Sequence, residues 1–255
     1  MRARTDPIAV VRITLRVVSG LRIALLAVAL GACAATTTPS PLESIERTVG
    51  QGDGPIVVLL HGFGSVPETF LGLAERRDLP PGTRLVFPRA PLAIPGVAHG
   101  SMWWPLPRDY ASIPLARYPG MNEARERVSA LLDQITAQAP HRPLVLGGFS
   151  QGAMVTLDVA LHDARPLAGI ALMSGTMIDE HDTMARLESR RGLRVYASHG
   201  RQDPVLRYQD DARLMDAMRA HGLDVSFTSF DGRHVVTEQV SMEVAAFVTR
   251  CAESR

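Results

Sequence analysis

From Pro55 onward, short apolar runs alternate with longer stretches in which apolar residues recur every three or four positions. The short runs predict buried strands at Ile56 to Leu60, Arg84 to Phe87, Leu144 to Gly147, Ala168 to Met173, Leu193 to Ser198 and Val225 to Phe230. The longer stretches predict helices with one apolar stripe each. Ala124, Val128, Leu131, Leu132, Ile135 and Ala139 form one stripe; Leu214, Met215 and Met218 a second; Val236, Val240, Val244, Phe247 and Val248 a third. Strands and helices in this alternation predict an α/β fold, a mostly parallel central sheet with helices on both faces. No self-similarity recurs at a spacing that would build a solenoid or propeller.

Residues 88–120 break the pattern, holding seven of the 18 prolines and both tryptophans. They predict an ordered surface excursion over the sheet edge, able to form a substrate wall. Trp103 and Trp104, with Met102 and, from outside it, Phe70, are the candidate substrate-binding residues, the alternative being that such loop aromatics are packing anchors.

Composition narrows the function classes. With 255 residues, 46% hydrophobic and 21% charged, the chain is long enough to bury a sizeable core in one domain. Basic and acidic residues interleave, so no nucleic-acid-binding stripe forms. There is no His-Glu-x-x-His segment and no Cys/His cluster, so neither a metal nor another cofactor is expected.

The N-terminus follows other rules. Arg2, Arg4, Arg12, Arg16 and Arg22 precede the uncharged run Ile23 to Leu30, then Leu30-Gly31-Ala32-Cys33. A basic region, a short apolar region and small residues predict an export signal over 1–32, too short to span a bilayer. Leu30-Gly31-Ala32-Cys33 also resembles the bacterial lipobox, which makes Cys33 the expected lipidation site and residues 33–52 a tether ahead of a domain over 53–255. The expected location is the bacterial cell envelope, lipid-anchored, with a periplasmic or secreted soluble enzyme as the alternative. After cleavage 22 basic face 25 acidic residues, so attachment would rest on lipid rather than charge. Cys251 is left without a partner, and no disulfide is expected. The oligomeric state is not legible.

The chemistry centres on Gly148-Phe149-Ser150-Gln151-Gly152, between the strand Leu144 to Gly147 and a helix-compatible stretch. A sharp strand-to-helix turn needs small residues two positions either side of the serine, because side chains there would collide. Such an elbow lifts the hydroxyl out of the sheet as a nucleophile.

His234 follows the strand Val225 to Phe230 through a short turn and precedes the last helix, which makes it the favoured general base. Asp203, in Gly200-Arg201-Gln202-Asp203-Pro204, is the favoured orienting acid, with Asp179 as its rival. Nucleophile, acid and base then follow successive strands in chain order. Acyl transfer also needs two backbone donors at the developing oxyanion. Gln151, directly after the nucleophile, supplies one, and Phe63, between Gly62 and Gly64, the other. His61 and His199 end strands as well and are read as structural.

Leu60-His61-Gly62-Phe63-Gly64, Pro88-Arg89-Ala90-Pro91, Trp103-Trp104, Gly147-Gly148-Phe149-Ser150-Gln151-Gly152, Gln202-Asp203-Pro204 and Gly232-Arg233-His234 together resemble the phospholipase/carboxylesterase group of α/β-hydrolases, which includes bacterial carboxylesterases and acyl-protein thioesterases. The resemblance runs over most of residues 55–250. It implies an α/β-hydrolase fold, a Ser150-Asp203-His234 triad, oxyanion donors at Phe63 and Gln151, no cofactor, and hydrolysis of small-molecule or lipid acyl esters. Family members often carry Asp where this chain has Ser65, and again where it has Arg201. Two alternatives stand beside an esterase. One is a phospholipase, thioesterase, polyester depolymerase or peptidase on the same triad, and the other a non-catalytic envelope lipoprotein with a hydrolase fold.

Overall fold

The computed structural model describes residues 41–106 and 118–253. The export signal, Cys33 and the tether up to residue 40 lie outside the described residues, as do residues 107–117 of the Pro-rich excursion.

A seven-stranded sheet forms the centre: β1 (Ser44–Val49), β2 (Ile56–Leu60), β3 (Thr83–Pro88), β6 (Leu144–Phe149), β7 (Gly169–Met173), β8 (Arg194–Gly200) and β9 (Asp224–Phe230). Their spatial order is β1-β3-β2-β6-β7-β8-β9. All neighbours run parallel except β1, which pairs antiparallel with β3 from Ser44 opposite Pro88 to Val49 opposite Thr83. All six strands expected from the sequence are present, in an α/β-hydrolase arrangement.

The folded unit begins earlier than the expected boundary at residue 53. Ser44–Val49, assigned from sequence to the tether, is the edge strand β1. It turns Ile45 and Val49 onto the core and pairs Glu46 with Arg84 at 2.9 Å. Two inward residues in a polar six-residue segment give a weak period-two signal, and pairing with β3 supplies the remainder.

Alternation along the strands sends side chains to two cores. Val58, Leu60, Leu144 and Leu146 face α2 (Met121–Gln138), α3 (Gln151–His162) and α5 (Tyr208–Ala220). Val57, Leu59, Val145 and Ala171 face α1 (Leu71–Ala74) and α6 (Glu238–Glu253). The expected stripes do this packing: Val128 and Leu132 on α2, Leu214 and Met218 on α5, Val240, Val244 and Phe247 on α6. Helix α3 is buried on every side from Gln151 to Leu161. A further helix, α4 (Glu180–Leu187), carries too few apolar residues to register as a stripe. Cys251 packs in the second core, where burial pushes its thiol up to about 11, an inert environment. Within the excursion, β4 (Leu92–Ala93) and β5 (Ser101–Met102) form a small ribbon. Among the described residues no helix is long and apolar enough to cross a membrane.

Strand order reverses between β2 and β6, since β3 lies on one side of that pair and β7 to β9 on the other. Open α/β sheets leave a crevice at the carboxyl ends of the strands at such a switch point. The segments emerging there are His61-Gly62-Phe63-Gly64 and the turn at Ser150.

Candidate active site

Strand β6 ends at Phe149 and α3 starts at Gln151, so Ser150 alone reverses the chain. It adopts φ 54° and ψ −118°, a conformation that costs a non-glycine residue roughly 1–3 kcal/mol. The flanking glycines make the turn possible: a Cβ at Gly148 would overlap the Gly152 backbone, and one at Gly152 would strike the Leu60 carbonyl. The turn is pinned by the Ser150 N–H donating to the Met173 carbonyl at 2.9 Å. Among the described residues the Ser150 hydroxyl makes no hydrogen bond, and contacts of this kind commonly tighten only when substrate is bound.

The loop after β2 lies directly against this serine, because a Cβ on Gly62 would sit 3.3 Å from Ser150 Cβ. His61 anchors the loop from beneath. It is 1% exposed, its Nδ1 donates to the Gly62 carbonyl at 2.8 Å, and its Nε2 accepts the Ala90 N–H at 3.0 Å. Burial lowers its pKa, outweighing the Gly62 carbonyl, so the ring is neutral. The expectation of a structural His61 holds.

Gly64 N–H donates to the Ser101 carbonyl and Ser65 N–H to the Gly62 carbonyl, but Phe63 N–H has no acceptor among the described residues. Gln151 N–H, at the first position of α3, has none either. Both amides are unused donors, one on the residue after Ser150 and one on the loop that packs against it.

Acid and base loops are laced together by backbone hydrogen bonds, Arg201 N–H to Phe230 O at 2.9 Å and Gln202 N–H to Gly232 O at 3.0 Å. A Cβ at Gly200 would collide with the carbonyls of Gly232 and Arg233, so glycine is required where the loops cross. The result is an Asp203 Oδ2 to His234 Nδ1 hydrogen bond of 2.6 Å. The Asp203 side chain is fully buried and that of His234 14% exposed, leaving the other edge of the imidazole free to act. The Phe149 ring lies 4.7 Å from that of His234, which ties His234 to the residue before Ser150.

Asp179, the rival acid, does other work. It caps α4, accepting the Asp182 N–H at 3.2 Å. Asp231 pairs with Gln202.

Trp103 and Trp104 need a correction. Both are 1% exposed, so they are packing anchors rather than walls open to substrate. Trp103 Nε1 donates to the His61 carbonyl at 2.8 Å, and both backbones are clamped by the Gln151 side chain. An unperiodic, proline-rich sequence gives no cue to which of its aromatics turn inward.

A mostly apolar cleft of about 380 Å³ opens beside His234 instead, lined by Gly62, Phe70, Leu73, Phe149 and Val235 and also by the Arg76–Glu238 ion pair. For Gly62, Phe149 and Val235 the signal in the sequence is position, at or just past the ends of β2, β6 and β9, whereas Leu73 in α1 carries none. Among the described residues no cluster of His, Cys, Asp or Glu could hold a metal ion.

Comparison with known proteins agrees with this geometry. A model of the phospholipase/carboxylesterase family matches residues 47–252. An acyl-protein thioesterase 1 of Kluyveromyces lactis is 28% identical over 209 residues, covering 76% of this chain and 91% of the relative. That of Cryptococcus neoformans is 26% identical, covering 70% and 78%. The crystal structure of esterase PE8 superposes with a TM-score of 0.72 at 26% identity, covering 83% of this chain and 99% of its own. Zea mays acyl-protein thioesterase 2 shares the fold, with a TM-score of 0.64 at 21% identity and coverage of 83% and 99%.

Proposed function

The chain belongs to the phospholipase/carboxylesterase family and is a serine hydrolase acting on acyl esters; on that premise we propose that Ser150 is the nucleophile, His234 the general base and Asp203 its orienting acid. The observation that carries this reading is the 2.6 Å Asp203–His234 hydrogen bond laid beside the strained Ser150 turn.

Ser150 Oγ attacks the acyl carbonyl while His234 Nε2 takes its proton, and Asp203 keeps the imidazole in the Nδ1–H tautomer. The carbonyl oxygen becomes an oxyanion held by the Phe63 and Gln151 amides, each worth roughly 10²–10³ in turnover. As the intermediate collapses, His234 returns the proton to the departing alcohol. Water, activated by the same imidazole, then releases the acid from the acyl-enzyme. The mostly apolar cleft beside His234 supports a small or lipid-like ester as substrate.

A fluorophosphonate probe tests the assignment. Peptide mapping is expected to find the adduct on Ser150, and an adduct confined to another residue would overturn it.

The same reading extends to location. Arg-rich residues before Ile23 to Leu30, followed by Leu30-Gly31-Ala32-Cys33, support export and lipid attachment at Cys33. An envelope enzyme meets lipid and small-molecule esters, which favours these over the acylated proteins named for its relatives. Metabolic palmitate is expected to label the wild type and not Cys33→Ser; an unlabelled wild type contradicts the anchor.

A further inference from the structure

Behind Asp203 lies a second histidine–aspartate pair that the proposed triad does not use. His199, near the end of β8, and Asp211, in the first turn of α5, are both 0% exposed. His199 Nδ1 lies 2.9 Å from Asp211 Oδ2. Its Nε2 lies 3.0 Å from the Leu206 carbonyl and 3.2 Å from Asp203 Oδ2. The ring is covered edge-on by Tyr208, over whose own ring Arg201 rests.

Donor and acceptor accounting limits what this imidazole can be. Its Nε2 faces only a carbonyl and a carboxylate, so that nitrogen must carry a proton. The second proton belongs to the Nδ1–Asp211 contact, on one partner or the other. Burial raises the Asp211 pKa, and its Oδ1 has no partner. The Asp211 carboxylate raises the His199 pKa despite the opposing effect of burial. Both shifts favour keeping that proton.

Asp203 is consequently saturated. Its Oδ1 accepts the N–H groups of Val205 at 2.8 Å and Leu206 at 3.0 Å. Its Oδ2 accepts His234 at 2.6 Å and faces His199 Nε2 at 3.2 Å. Three hydrogen-bond donors and the 3.2 Å ion-pair contact with His199 surround its two oxygens and restrict the carboxylate's orientation.

We propose that His199 is a positioning residue, its Nε2 edge, hydrogen-bonded to the Leu206 carbonyl and 3.2 Å from Asp203 Oδ2, holding the Asp203 carboxylate on His234, and that Asp211 fixes the His199 protonation that keeps this edge positive. The inference rests on the Ser150-Asp203-His234 reading. It gives His199 a part in turnover beyond shaping the acid loop through Leu206.

Two polar substitutions separate these roles. In His199→Gln the amide N–H can occupy the place of Nε2 and still reach Asp203, whereas in His199→Asn it occupies the place of Nδ1 and reaches only Asp211. With a p-nitrophenyl ester and the full chain, His199→Gln is expected to keep kcat within about 3-fold of wild type. His199→Asn is expected to lose roughly 10-fold, the effect of one hydrogen bond, with KM unchanged in both. Equal kcat in the two variants overturns the positioning role. Asp203→Asn run alongside shows which reading has failed. If it is crippled while the two His199 variants match, only the positioning role is lost; if it turns over like wild type, the triad falls and the proposal with it. Should neither His199 variant fold, ¹⁵N-histidine spectra of the wild type decide. His199 Nε2 protonated throughout the active pH range supports the proposal, and an unprotonated Nε2 refutes it.

Discussion

The Gln151 side chain accepts the Trp103 N–H at 2.9 Å and donates to the Trp104 carbonyl at 2.9 Å, joining the residue after Ser150 to a segment packed against the loop after β2. Trp103 continues the chain of contacts through its indole N–H to the His61 carbonyl. The helix that follows Ser150 and the loop that carries Phe63 are thereby linked through the Trp103-Trp104 segment.

Gln151→Leu should therefore destabilise the fold well beyond a surface change. It leaves the Trp103 N–H and Trp104 carbonyl buried without partners, at roughly 1–3 kcal/mol each. Thermal melting measures this. Gln151→Glu should also melt lower, because a carboxylate can accept from Trp103 but cannot donate to Trp104. An unchanged melting temperature in Gln151→Leu would show that the clamp contributes nothing.

Gly62→Ala tests the approach of the oxyanion loop to the serine. The added methyl would lie 3.1 Å from the Phe149 ring and 3.3 Å from Ser150 Cβ, closer than either neighbour accommodates without shifting. Displacing the Phe63 amide by such a shift should lower kcat by about 10²-fold, the loss typical of one oxyanion donor, with little change in melting temperature. Steady-state kinetics on a small ester reads it directly.

His61 gives the fold a pH dependence of definite sign. Burial holds its pKa below the ordinary 6.5, so the unfolded chain binds a proton that the folded chain refuses. Its stabilising effect is complete above pH ~6.5 and is lost as pH falls toward the folded-state value, at up to ~1.4 kcal/mol per pH unit. Denaturant melts of wild type and His61→Gln, whose Oε1 can accept the Ala90 N–H, should converge as pH falls below 6.5. Parallel pH dependence in the two proteins would rule out this contribution.

Much of this was legible in the sequence, and the exceptions have a common cause. Strands such as Ile56–Leu60 and Leu144–Phe149 are continuous apolar runs because both of their faces are buried, which period and composition report directly. The proposed triad of Ser150, Asp203 and His234 could be named from sequence because each follows a strand in chain order, and the structure brings Asp203 and His234 to 2.6 Å. Asp211 could not, since nothing in an amphipathic helix marks one of its acids as turned inward toward a buried histidine. Trp103 and Trp104 look like loop aromatics until the Gln151 side chain is placed between their backbone groups. Local pattern records burial by one's own element; partners contributed by a distant element leave no mark on it.

Ser150→Ala bears most directly on the central claim. The purified variant, with a melting temperature near that of wild type, should lose fluorophosphonate labelling and more than about 10³-fold in p-nitrophenyl ester turnover. Wild-type turnover in a folded Ser150→Ala protein would contradict a serine mechanism at this turn.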